Sequence, residues 1–131
     1  MRVGIDLVAV EQIGESIASH GDRFLERVYT PSEREASGGD PSRLAERFAA
    51  KEATMKALGR TGEGFGWRSI EVVSDCAGGH RIRLSDGAAA LARGRGVESL
   101  SVSLTRHRDT AAALVLAGTT APQSSEPGSR Q

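Results

Sequence analysis

Two rhythms of apolar and polar positions run along this chain, and they predict its elements in order. Positions 2–10 (RVGIDLVAV) form an apolar run of strand type with a single acid, Asp6, inside it. A continuous run of this kind predicts a strand buried on both faces. Positions 11–28 switch to a helical period marked by Ile13, Ile17, Phe24 and Val28, and Ser19-His20-Gly21-Asp22 is expected to break or kink it. Thr30-Pro31-Ser32-Glu33 is a helix start, with Thr30 as N-cap, Pro31 at the first turn and Glu33 closing a capping box. That helix ends at Ser37-Gly38-Gly39. Asp40-Pro41 opens the next one, for which Gly59 is the expected C′ residue.

The rest of the chain reads as sheet with one more helix. Positions 59–66 (GRTGEGFG) make a Gly-rich loop. It is no phosphate-binding Walker loop, because no Gly-Lys-Ser/Thr follows, and no dinucleotide fingerprint, because it follows a helix. Positions 67–74 and 80–84 predict a hairpin around the turn at 75–79. Ser85 or Asp86 caps a short Ala-rich helix ending near Gly94 or Gly96. Positions 99–105 alternate, with Leu100, Val102 and Leu104 on one face. A tight turn at 106–109 leads into a last apolar strand at 110–117. From Thr119 the chain turns Ser/Pro/Gln/Gly-rich, so residues 1–118 are expected to form one domain and 119–131 a disordered polar tail.

Composition narrows the function classes. Lys plus Arg and Asp plus Glu both number 17, so no bulk attraction to nucleic acid or membrane is implied. The lone cysteine, Cys76, cannot close an internal disulfide. With no signal peptide and no long apolar run, the chain reads as cytoplasmic. Aromatic residues make up only 4%, so the core is built from small side chains and oligomerisation is expected.

Candidate chemistry concentrates in the central helix. Phe48, Glu52, Met55 and Lys56 share one side of a 3.6-residue period, so a carboxylate and an ammonium stand among apolar groups. Taken alone, Glu52 and Lys56 read as an ordinary surface pair four residues apart. Yet of 17 basic residues only Lys51 and Lys56 are lysines, and both lie here. Arg43, Arg47 and Lys51 recur every four residues, and three cations in a row repel unless an anion sits nearby; phosphates would serve. Asp6, from its run alone, reads as a strand-end acid bonded to backbone. With Glu52 it also makes too few ligands for a closed metal cage, but enough for Mg²⁺, which keeps waters and uses substrate phosphates. Arg23 and Arg27, with Phe24 between them, form either a solvated helix face or a docking surface for an acidic partner. No His/Cys cluster suits zinc, and no Gly-x-Ser-x-Gly elbow supports a hydrolase.

Four ordered stretches resemble the phosphopantetheinyl transferases, in particular the small holo-[acyl-carrier-protein] synthase group. They are Gly4-Ile-Asp-Leu-Val8, the segment from Arg23 to Thr30, Arg47 to Lys56 (RFAAKEATMK), and Val102-Ser-Leu-Thr105 followed by Ala111-Ala-Ala113. The resemblance implies an α+β fold, an antiparallel sheet packed by helices, assembled as a homotrimer with active sites at subunit interfaces. It implies transfer of 4′-phosphopantetheine from coenzyme A to a serine of an apo acyl carrier protein of fatty-acid or polyketide synthesis. Asp6 and Glu52 would hold Mg²⁺, and Glu52 and Lys56 would be catalytic. Arg47, Lys51, Lys56, Gly59, Thr105, Arg106 and His107 would line the coenzyme site, and Arg23, Phe24 and Arg27 would dock the carrier. The family commonly places His after the Ser/Thr of the last turn. Here Arg106 follows Thr105, and His107 comes one place later. Arg106 either replaces that histidine as a phosphate contact, or the shift weakens coenzyme binding. A non-catalytic homologue that binds coenzyme A or docks a carrier is the alternative.

Overall fold

The computed structural model describes residues 1–59 and 66–120. In chain order the elements are β1 (Arg2–Ala9), α1 (Val10–His20), α2 (Asp22–Val28), α3 (Pro31–Ser37), α4 (Pro41–Ala57), β2 (Ile70–Ser74), β3 (His80–Leu84), α5 (Asp86–Gly94), β4 (Val97–His107) and β5 (Thr110–Thr119). β1, β5 and β4 form an antiparallel sheet in that order, and β2 and β3 form a separate hairpin. The architecture is the expected α+β one.

Local chemistry sets most boundaries. Gly21, at φ 57°, separates α1 from α2 where the sequence predicts a break. Thr30 and Glu33 make the full reciprocal capping box on α3. Asp40 accepts from the Ser42 N–H at 2.9 Å and starts α4, and Gly59, at φ 82°, lies just past its end. α4 then lies across the inner face of the sheet. The contact surface is made of small groups. Ala49, Ala50, Ala53 and Ala57 are all buried, and so are Ala111, Ala113, Val115 and Ala117 of β5. The closest approach is at Gly4, where an added Cβ would stand 1.8 Å from the Ala53 carbonyl oxygen.

Three expectations are corrected. β1 is not buried on both faces: Val3, Ile5 and Leu7 are 51%, 58% and 68% exposed, and their cross-strand neighbours Leu116 and Leu114 are 37% and 38% exposed. Among the described residues nothing covers that side of the sheet, so the apolar run reflects a face they leave open. The strand expected from position 67 starts only at Ile70, because Trp67–Ser69 form a 3₁₀ turn in which the Ser69 hydroxyl and N–H both donate to the Gly66 carbonyl. The turn expected at 106–109 shrinks to Arg108 and Asp109. Arg106 and His107 continue β4, and Arg108 takes φ 56° to reverse the chain. Thr119 closes β5, and Thr120 donates its N–H to the Gly96 carbonyl. The rest of the expected tail, and positions 60–65 of the Gly-rich loop, lie outside the described residues.

Candidate functional site

The close approach at Gly4 brings together the acids that the sequence places 46 positions apart. Alternation along β1 puts Gly4, Asp6 and Val8 on the side facing α4. Asp6 Oδ1 accepts from the Lys56 ammonium at 2.8 Å, and Lys56 also donates to the Ile5 carbonyl at 3.3 Å. So Lys56 pairs across to β1, and the expected Glu52–Lys56 pair within the helix is not among the described ion pairs. Glu52 is partly buried. Burial pushes its carboxyl above the usual carboxylate range, the Asp6 charge pushes the same way, and Lys56 pulls back. The hydrogen bond and charge of Asp6 raise the Lys56 ammonium in turn.

Glu52 stands close enough to feel the charge of Asp6, and these are the two carboxylates that could hold a divalent cation here. Among the described residues no group of three or more His, Cys, Asp or Glu gathers. The donor set therefore fits a cation such as Mg²⁺ that completes its shell with water and phosphate.

The cation row of α4 is placed differently from expectation. Lys51 is fully buried, 2.8 Å from Glu33 Oε1, and it also donates to the carbonyls of Trp67, at 3.2 Å, and Ile70. Burial pushes its ammonium below the usual lysine range, although the Glu33 charge opposes this. The anion that relieves the row is thus Glu33 of α3, and Lys51 has no donor left to offer a coenzyme phosphate. Arg47 is 3% exposed and donates to the Arg43 carbonyl and the Ser74 hydroxyl, leaving its Nε without a partner. Arg43 is exposed and loosely paired with Asp40 at 3.9 Å. The sequence signal for Glu33 was its place in the capping box. A glutamate that satisfies a helix start while pointing inward is free to bond on its other oxygen, and here Oε2 accepts the Val72 N–H at 2.6 Å.

The remaining candidates spread over the surface. Thr105, Arg106 and His107 are exposed near the end of β4. Alternation divides them, Arg106 with Leu104 on the inner side and Thr105 and His107 on the outer. Asp6 pairs with Ala113, and Ala113 with Leu104, so Arg106 stands two strands across and two residues further along from Asp6. One copy of the chain does not bring them together. Gly59 lies under the guanidinium of Arg2, which itself donates to the Ala57 carbonyl at 2.7 Å. Arg23, Phe24 and Arg27 do meet: with His20 they line a groove of about 350 Å³. Phe24 is held there by an edge-to-face contact with Tyr29 at 6.0 Å.

The model of the 4′-phosphopantetheinyl transferase superfamily matches residues 2–115, and the chain belongs to that superfamily. Within it, the chain stands with the holo-[acyl-carrier-protein] synthases. The one from Solidesulfovibrio magneticus is 44% identical over 117 residues, covering 87% of this chain and 94% of the relative. The one from Halorhodospira halophila is 41% identical over 120 residues, with 87% and 94% covered. Among solved structures, the Helicobacter pylori synthase in complex with coenzyme A matches with a TM-score of 0.79 at 30% identity, over 88% of this chain and 99% of that one.

Proposed function

We propose that this chain transfers the 4′-phosphopantetheine group of coenzyme A to a serine hydroxyl of an apo acyl carrier protein, releasing 3′,5′-ADP. The observation that carries the reading is the convergence of Asp6, Glu52 and Lys56 in a member of this superfamily. Asp6 and Glu52 would hold Mg²⁺, which when bound neutralises charge on the pyrophosphate. Lys56, half-exposed and on a long stem, leaves Asp6 to stabilise the departing phosphate or to protonate its oxygen. Glu52 or water accepts the serine proton. Arg106 contacts a coenzyme phosphate, since a guanidinium offers paired donors where a neutral imidazole offers one. Arg23, Phe24 and Arg27 receive the carrier, whose acidic surface the two arginines attract. The cytoplasm is the proposed location; among the described residues no helix is long and apolar enough to cross a membrane.

The assembly we propose is a homotrimer closed through the open face of the sheet. Val3, Ile5 and Leu7 of β1 and Leu114 and Leu116 of β5 form a contiguous exposed apolar patch, which a second copy would cover. Active sites completed between copies would also account for the distance between Arg106 and Asp6 within one copy. The alternative, a homologue that binds without turnover, is disfavoured by the intact Asp6, Glu52 and Lys56. Incubation with coenzyme A, Mg²⁺ and several apo-carriers, followed by mass spectrometry, decides. Addition of phosphopantetheine to a carrier supports the reading. Coenzyme binding with every carrier unchanged in mass would leave the non-catalytic homologue.

A further inference from the structure

Lys51 and Glu33 take no part in the chemistry proposed above, yet they form the one ion pair among the described residues in which both side chains are 0% exposed. Every donor of the ammonium is used, on Glu33, Trp67 and Ile70. Glu33 accepts in addition from the Thr30 N–H at 2.9 Å and the Val72 N–H at 2.6 Å. The pair therefore ties the middle of α4 to the start of α3, to the 3₁₀ turn at Trp67 and to β2.

Such a pair is weak evidence for stability, since apolar residues of the same volume commonly replace a buried ion pair without loss. Its geometry does something more specific. Lys51 and Glu52 are consecutive, so their side chains leave α4 about 100° apart. Pinning Lys51 toward α3 and β2 fixes the direction in which Glu52 leaves, toward β1. The sheet-facing surface of α4, Ala49, Ala50, Ala53 and Ala57, packs against Gly4 and against Ala111, Ala113, Val115 and Ala117 of β5, small groups that set a close distance. Leu44 and Leu58 add buried bulk beside it, and the Lys51–Glu33 pair adds a directional tie.

We propose that Lys51 and Glu33 are positioning residues, a buried clamp that sets the rotation of α4 so that Glu52 converges on Asp6. The proposal rests on the reading of Asp6 and Glu52 as metal ligands. The test removes both charges at once, in the full chain, with Lys51→Met and Glu33→Gln. Far-UV circular dichroism reports the fold, and the fluorescence of Trp67, the single tryptophan, reports the anchor. Mn²⁺ affinity is measured by calorimetry and transfer by steady-state kinetics. The double variant is expected to fold, to bind Mn²⁺ at least about tenfold more weakly and to lose kcat on the same scale. Its KM for coenzyme A should stay within about twofold, since no coenzyme contact is removed.

Wild-type Mn²⁺ affinity and kcat in the folded double variant overturn the proposal. So does a raised coenzyme KM at unchanged kcat, which would return Lys51 to the coenzyme site. Should the double variant fail to fold, Glu33→Gln alone carries the same readouts; unfolding of both would assign the pair to stability and overturn the clamp. Glu52→Gln separates this from the site reading. If wild type binds Mn²⁺ no better than Glu52→Gln, the metal site itself falls and the clamp with it. If only the clamp variants behave as wild type, the clamp alone is wrong.

Discussion

Arg106 is proposed to act at a coenzyme site that its own copy of the fold leaves incomplete. It is exposed, no ion pair holds it among the described residues, and it stands on the strand furthest from Asp6 in the sheet. Arg106→Ala is expected to raise the KM for coenzyme A about tenfold, equivalent to about 1.4 kcal/mol, with carrier affinity unchanged. Arg106→His should recover part of the loss. An unaltered coenzyme KM would remove Arg106 from the site and leave His107 as the next candidate.

Glu71 is a second residue whose environment has a measurable consequence. Desolvation would push its carboxyl up, but hydrogen bonds from Thr30, Ser32 and Arg83, with the Arg83 charge, bring it down from 4.5 to about 2. A carboxyl held below its unfolded value contributes stability that is fully present above the unfolded pKa and is lost as pH falls through the folded one. The difference in Tm between wild type and Glu71→Gln should therefore be constant near neutrality and close between about pH 4.5 and pH 2. A difference that persists undiminished at the acid end would show that Glu71 acts through packing.

At the scale of elements, the site exists because β1 and α4 touch backbone to backbone. Gly4 is where they do so, and the three side chains of the candidate site sit within one turn or two residues of that contact. Gly4→Ala forces the strand off the helix and strains a packed interface, at a cost of about 3 kcal/mol. Thermal unfolding should show the loss. Calorimetry on any folded fraction should show weakened Mn²⁺ binding, because Asp6 withdraws with the strand. A Gly4→Ala protein as stable as wild type would mean that the close packing is not required.

At the scale of the whole molecule, the open face of the sheet matters most. Ile5 lies in the middle of the exposed patch, opposite Leu114. A lysine there is compatible with a solvated monomer but not with a buried apolar interface, where an unpaired charge is costly. Ile5→Lys is expected to change the protein from trimer to monomer in light scattering after size exclusion, with circular dichroism retained. Transfer should be lost with assembly if active sites lie between copies. Trimeric elution of Ile5→Lys would show that copies meet elsewhere.

The sequence by itself determined what depends on neighbours in the chain. Helix starts at Thr30 and Asp40, the stop at Gly59, the break at Gly21 and the alternation of β4 were all legible, because caps, positive φ and strand alternation are local. The resemblance carried by Gly4 to Val8 and by Arg47 to Lys56 offered Asp6, Glu52 and Lys56 as candidates, and of these Asp6 and Lys56 meet at 2.8 Å. Only the tertiary structure decided partners. The rule that residues four apart on a helix pair describes a helix with nothing beside it. Once α4 packs on β1 and α3, Lys56 meets Asp6, fifty positions away, and Lys51 meets Glu33. The same reason separates β1 as read from β1 as folded. Hydrophobic residues report that a face will be covered, but the packing of elements decides by what: one face of β1 finds α4, while the described residues leave the other open.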